Sequence, residues 1–246
     1  MTNLRDLSYI FLGLALVAEI LGTIGGFGSS VFFVPIANFY FDFQSVLGLT
    51  ALYHLSSNVS KIVLFRKGLD KKLLVYIGLP SVVFVLIGGY LTTYVDSAYL
   101  EMVLGIFLIG LSLLFLINKN IVIAPNRKNA LAGGALSGFS AGLLGTGGAI
   151  RGLTMAAFNL KKEIFIATSA FIDFFIDFSR TFVYLQNGYI HKHDLIYLPF
   201  LIVIGFVGTM VGKRILKVIS QEKFKVISLS LILIIGLVTI ANVLWG

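Results

Sequence analysis

Apolar residues run along this chain in ten stretches separated by short groups of charged and turn-forming residues. They cover 8–24, 29–41, 44–65, 73–95 and 98–117, then 130–144, 149–160, 164–185, 195–212 and 226–245. A helix rises about 1.5 Å per residue, so crossing a bilayer takes roughly 20 apolar residues. In each group of five, the last three stretches have about that length and the first two are shorter. Between the two short ones stands a glycine cluster, Gly25-Gly26-Phe27-Gly28 in the first group and Gly145-Thr146-Gly147-Gly148 in the second. Glycines clustered in an apolar helix break it, and irregular backbone at membrane depth is tolerated only where protein buries it or where it lines a polar cavity. The pattern predicts an all-α, polytopic membrane helix bundle of two inverted repeats, each of about five helical segments and each starting with a short, glycine-broken helical hairpin. The expected division is a first transmembrane repeat over 1–117, a connector over 118–129 and a second transmembrane repeat over 130–246.

Composition fixes the solvent. Hydrophobic residues make up 58% of the chain and charged residues 12%, against about 25% charged in soluble domains; the mean hydropathy is +0.98. The expected location is the cell membrane, as a multi-pass integral protein with the lipid bilayer as its partner. The first apolar run lacks a small-residue cleavage site and reads as a retained helix rather than a signal peptide. With no cysteine, disulfides, thiol catalysis and thiolate-bound metals are excluded.

The net charge of +8 has an explanation other than nucleic acid. If each broken pair returns to the side it entered from, the second repeat is inverted, and the loops 66–72, 118–129, 161–163 and 213–225 share one side. Those loops hold Arg66, Lys67, Lys71, Lys72, Lys119, Arg127, Lys128, Lys161, Lys162, Lys213, Arg214, Lys217, Lys223 and Lys225, 14 of the 19 cations. The other side keeps Arg5 and Lys192 with Asp6, Asp42, Asp96, Glu101 and Asp194. Treating each broken pair as a single crossing divides the same cations 9 to 7. The positive-inside rule selects the inverted arrangement, with a cytoplasmic connector.

Three cations, Lys61, Arg151 and Arg180, and three carboxylates, Glu19, Asp173 and Asp177, fall inside the apolar stretches. A shift of 119 residues overlays Asn58-Val59-Ser60-Lys61 on Asp177-Phe178-Ser179-Arg180 and His54 on Asp173. Steps of four and three place each set on one helical face, which turns toward the bundle interior, as intramembrane ionisable groups do. Lys61 and Arg180, near their helix ends, either join that interior site or snorkel to the interface. Arg151 follows the second glycine break at the start of a short helix, where the free N–H groups of Ala149 and Ile150, like those of Ser29 and Ser30 in the first repeat, favour an anion. The anion-binding set is therefore Arg151, Lys61, Arg180 and Asn58, with Gly25, Gly26, Gly28, Ser29 and Ser30 from one break and Gly145, Thr146, Gly147 and Gly148 from the other. The alternative for Arg151 is to neutralise Glu19, Asp173 or Asp177. Glu19, Asp173, Asp177 and His54 are either structural counter-ions or groups that exchange protons with the substrate.

Taken in order, several motifs resemble the sulfite exporter-like permeases of the TauE/SafE family, also called the 4-toluene sulfonate uptake permeases. They are Gly25-Gly26-Phe27-Gly28 before Val34-Pro35, Phe65-Arg66-Lys67-Gly68-Leu69-Asp70 ahead of Pro80 and Gly88-Gly89, Gly142 to Gly148, and Tyr184 to Tyr189 ahead of Pro199. The resemblance covers almost the whole chain. It implies secondary transport of a small anion, typically a sulfur oxoanion or organosulfonate, with no cofactor. The chain departs from the common pattern at Phe27, at Met155 in place of a second-half proline, and in carrying Arg151 and Arg180.

The expected function is a secondary anion transporter, with protons as the candidate coupling ion; the alternative is a passive anion channel, which would share the basic lining. An enzyme is not expected. Asp173 and Asp177 lie four apart on one helix and cannot flank a substrate, and there is no His-Glu-x-x-His. His191-Lys192-His193-Asp194 reads as a solvated loop rather than a metal site. The anion, the direction of transport and the oligomeric state are left open by the sequence.

Overall fold

A computed structural model of the protein describes residues 8–26, 28–65, 68–118, 123–218 and 221–245, the side chains of 221–225 and 227 excepted. Phe27, Arg5, Asp6, Arg66, Lys67 and Lys119 lie outside the described residues, as do the side chains of Lys223 and Lys225. All regular structure among the described residues is helical. Ten helices follow one another: α1 (Tyr9–Gly25), α2 (Ser30–Ala37), α3 (Phe43–Leu64), α4 (Lys71–Tyr94), α5 (Ser97–Ile117), α6 (Arg127–Leu144), α7 (Gly148–Ala156), α8 (Lys162–Gln186), α9 (Asp194–Ile215) and α10 (Gln221–Trp245).

Local chemistry sets the boundaries. Side chains at Ser8, Asp42, Asp70 and Asn126 accept a hydrogen bond from the backbone N–H three residues on, at 2.9–3.3 Å, and so start α1, α3, α4 and α6. α1 and α6 each end within a glycine cluster. Gly26 (φ 69°) and Gly145 (φ 74°) adopt the left-handed conformation that ends α1 and α6, which a side chain would oppose. α2 stops at Ala37 rather than running to 41, because residues 38–41 turn to meet the Asp42 cap.

α4, α5, α9 and the described part of α10 are long and apolar enough to cross a membrane. α3 and α8 are also long, at 22 and 25 residues, but fall short in apolarity. These two helices carry the polar stripes, and they pack against each other at the centre of the bundle.

The remaining packing follows a rule. α1 packs on α9 as α6 packs on α4, α3 packs on α9 as α8 packs on α4, and α5 packs on α10. The α4–α6 contact is close because Gly134, Gly138 and Gly142 form a stripe on an unbroken helix, where any Cβ would strike the backbone of Ile77, Ser81 or Val85. Apolar side chains such as Val83, Ile106, Val203 and Ile234 face outward, as lipid contact requires. Aromatic packing of Phe11 on Phe33, Phe41 and Tyr197 anchors α1 and α2 to the start of α9.

Candidate anion site

The two breaks meet. Ser30, opening α2, and Thr146, between α6 and α7, hydrogen-bond through their hydroxyls at 3.2 Å. Gly28 lies close behind: a Cβ there would sit 3.8 Å from Arg151 Nη2 and 3.7 Å from Asp173 Oδ2. The segment between α1 and α2 therefore rests on the Arg151–Asp173 ion pair.

Three buried ion pairs surround this junction. Lys61 donates to Glu19 at 2.7 Å and to Ser57 at 2.6 Å. Glu19 also accepts from Ser29 (2.6 Å), Ser57 (2.8 Å), Tyr53 (2.9 Å), Thr209 (2.9 Å) and Thr23 (3.3 Å). Its carboxylate lacks no donor. Arg180 pairs with Asp177 at 2.8 Å, while its Nη1 donates to the carbonyls of Ala141 (3.0 Å) and Gly145 (2.8 Å) at the end of α6. Tyr184 donates to Gly142 O at 2.6 Å beside it, so arginine and tyrosine together satisfy the carbonyls that the glycine break orphans. Asn58 donates to the other oxygen of Asp177 at 2.7 Å.

Arg151 is different. It is 0% exposed; Nε donates to Ser169 at 3.0 Å, Nη2 pairs with Asp173, and Nη1 has no hydrogen-bond partner. A buried guanidinium with one unspent N–H donor group has capacity for a further acceptor. Asp173 keeps 18% of its side chain exposed and lines a narrow pocket with Ser169, Lys61, Asn58, Gly26 and Gly28. Gly26 and Ile166 also line a wider vestibule of about 310 Å³ that runs past Phe165, Lys162 and Leu216. The Phe165 ring lines the vestibule, 2.9 Å from where a Cβ on Gly26 would lie.

A family model described as sulfite exporter TauE/SafE matches residues 11–239. The chain belongs to the TauE/SafE family. It is 27% identical over 246 aligned positions to a protein of Methanocaldococcus jannaschii named a probable membrane transporter, an alignment that covers 90% of this chain and 91% of that one. No solved structure matches it. It is thus a multi-pass integral membrane protein of a transporter family.

Within this TauE/SafE chain, the expected site residues separate into two groups. Arg151, Lys61, Asn58, Gly26, Gly28, Ser30, Thr146 and Asp173 gather at the junction of the breaks, and Gly25 lines the vestibule. Ser29 spends its hydroxyl on Glu19, Gly147 O accepts from Ser137 at 2.8 Å, and Gly148 is buried at the start of α7. Arg180 joins Asp177 and the Gly145 carbonyl, and none of the three is among the pocket's lining. His54 packs its ring on Phe33 and Tyr53 with Nε2 unpartnered, and it too is not among the pocket's lining. Neither Lys61 nor Arg180 snorkels; both are buried and paired. Sequence reasoning missed Ser169, although a signal existed. One helical turn before the His54/Asp173 pair, the same shift overlays Thr50 on Ser169. It also missed Tyr53, Ser57 and Thr209, which are ordinary polar residues until Glu19 is placed among them. Met155 is buried in α7, which has no proline, whereas α2 contains Pro35.

Proposed function

We propose that this chain is a secondary transporter that carries a small anion, a sulfur oxoanion or organosulfonate, across the cell membrane. The observation that carries the reading is the unspent Nη1 of the buried Arg151 beside the meeting point of two helix breaks. An oxoanion presents several acceptors, and arginine can engage two at once. Lys61 and the N-terminal turns of α2 and α7 add positive potential without demanding a particular base or ring. Uptake of sulfite, thiosulfate, sulfate, sulfonates and carboxylates into proteoliposomes tests the substrate class. Saturable flux of the sulfur anions fits the proposal, and flux restricted to carboxylates removes it.

The same reading assigns two inverted repeats, 1–117 and 130–246, around a cytoplasmic connector at 118–129. Two features support it. Asn58 and Asp177, equivalent under the 119-residue shift, bond directly to each other, as residues flanking a two-fold axis do. The helix contacts are also preserved when the halves are exchanged. Contacts between loops agree with the sidedness drawn from charge: Ser8 meets Tyr197, Asn38 meets Glu101 and Ser45 meets His191 on the expected outer side, while Lys213 bonds Leu64 O on the inner. In this frame the Lys162 vestibule opens to the cytoplasm and Phe165 gates the site. Alternating access then comes from one repeat rocking on the other. Impermeant thiol labelling of intact cells is expected to modify Ile190→Cys and to spare Lys217→Cys; the reverse pattern overturns the topology.

Proton coupling is assigned to Asp173. Glu19 is saturated by donors and Asp177 is held by Arg180 and Asn58, whereas Asp173 faces the pocket and shares its guanidinium with the incoming anion. An anion that takes Arg151 leaves Asp173 without its counter-charge, so the carboxylate takes a proton and the two move together. A pH difference should therefore accumulate anion on the alkaline side in wild type. Asp173→Asn should retain exchange and lose that accumulation, and a variant that still concentrates anion from a pH difference alone makes Asp173 a structural counter-ion.

A further inference from the structure

One cluster of metal-type side chains stands apart from the interior site. His191, His193 and Asp194, in the connection from α8 into α9, each offer a ligand atom within 4.8 Å of the others. The expectation of a solvated loop does not describe Asp194, which is 3% exposed and has no hydrogen-bond partner on either carboxylate oxygen. His193 Nε2 approaches Oδ1 at 3.1 Å and His191 Nδ1 approaches Oδ2 at 3.5 Å, neither as a hydrogen bond. The two rings lie nearly parallel, 8° apart, with centroids separated by 5.3 Å.

The surroundings hold this arrangement from a second element. Ser45, in the first turn of α3, lies 2.7 Å from His191 Nδ1. Burial pushes the Asp42 carboxyl up, but hydrogen bonds from Ser45, with His191 nearby, bring it below its ordinary value. The loop thus has negative charge on two sides of two imidazoles. A buried carboxylate without donors is costly, and buried charges are normally either paired or bound to a metal. Two imidazole nitrogens and a carboxylate oxygen suit a borderline divalent ion, with water completing four-coordination.

We propose that His191, His193 and Asp194 form a binding site for a divalent first-row transition ion such as Zn²⁺. The placement of this loop on the outer face rests on the topology above; the site itself does not. The full chain, purified in detergent with a tag free of histidine and stripped with a chelator, is titrated with ZnCl₂ by calorimetry at neutral pH. One ion per chain is expected. His193→Ala, at a side chain that is 63% exposed and should leave thermal melting unchanged, and Asp194→Asn should each weaken binding by roughly tenfold or more. Co²⁺ should give the visible absorption of a four-coordinate site in wild type alone. Absence of Zn²⁺ binding overturns the proposal, as does binding that persists unchanged in a His191→Ala/His193→Ala double variant with wild-type melting.

Discussion

Arg151→Ala is expected to eliminate saturable anion flux in proteoliposomes while folded protein is still recovered. The side chain is 0% exposed, and truncating one partner of a buried, hydrogen-bonded charge pair costs about 2–5 kcal/mol of binding. At about 1.4 kcal/mol per tenfold, affinity falls by about 30-fold or more. Arg151→Lys should recover part of the flux. Lysine supplies the charge but not a planar fork that can hold Asp173, Ser169 and an oxoanion at once. The fold survives because Asp173 reaches the pocket and can be neutralised by a proton once its partner is gone. A heavy loss of thermal stability, with normal transport by the protein that remains folded, identifies Arg151 as structural instead.

Glu19→Ala should produce the largest loss of stability. Six side chains from α1, the first break, α3 and α9 converge on this carboxylate, so its removal leaves Lys61 buried and uncompensated. Breaking a buried pair in this way costs about 3–5 kcal/mol, a large share of the roughly 5–15 kcal/mol by which a domain is stable. Thermal unfolding in detergent measures it. The cost belongs to the unpaired charge rather than to lost packing if Glu19→Gln combined with Lys61→Met recovers much of the midpoint lost in Glu19→Ala. A Glu19→Ala protein that melts with wild type contradicts the role given to this cluster.

The fold was legible where apolar runs and glycines speak directly. All ten stretches correspond to helices, and α1 and α6 end at the glycine clusters, because a left-handed residue at Gly26 or Gly145 is a local requirement that the residue type announces. The partners within the interior were harder to read. Spacing placed Asn58 and Asp177 at equivalent positions, but only the packing of α3 on α8 turns that equivalence into a 2.7 Å hydrogen bond. Arg180 has the same intramembrane charge as Arg151, yet its Nη1 closes the end of α6 and only its Nε is unpartnered, while Arg151 keeps the whole Nη1 group free. That difference depends on where the carbonyls of Ala141 and Gly145 point, which no local pattern encodes. Likewise Gly134, Gly138 and Gly142 announce close packing, but not that α4 is the helix they receive. Asp194 looked solvated because its neighbours in sequence are charged, and tertiary contact with the start of α3 buries it.

The most direct measurement is sulfite exchange by the purified chain in proteoliposomes, read together with planar-bilayer recordings of the same preparation. A transporter built around Arg151 gives saturable uptake that unlabelled sulfite inside the vesicle accelerates, with no unitary current in the bilayer. Resolved single-channel conductance, or a flux that neither saturates nor responds to internal sulfite, would contradict alternating access and make the basic junction of the two breaks a channel lining.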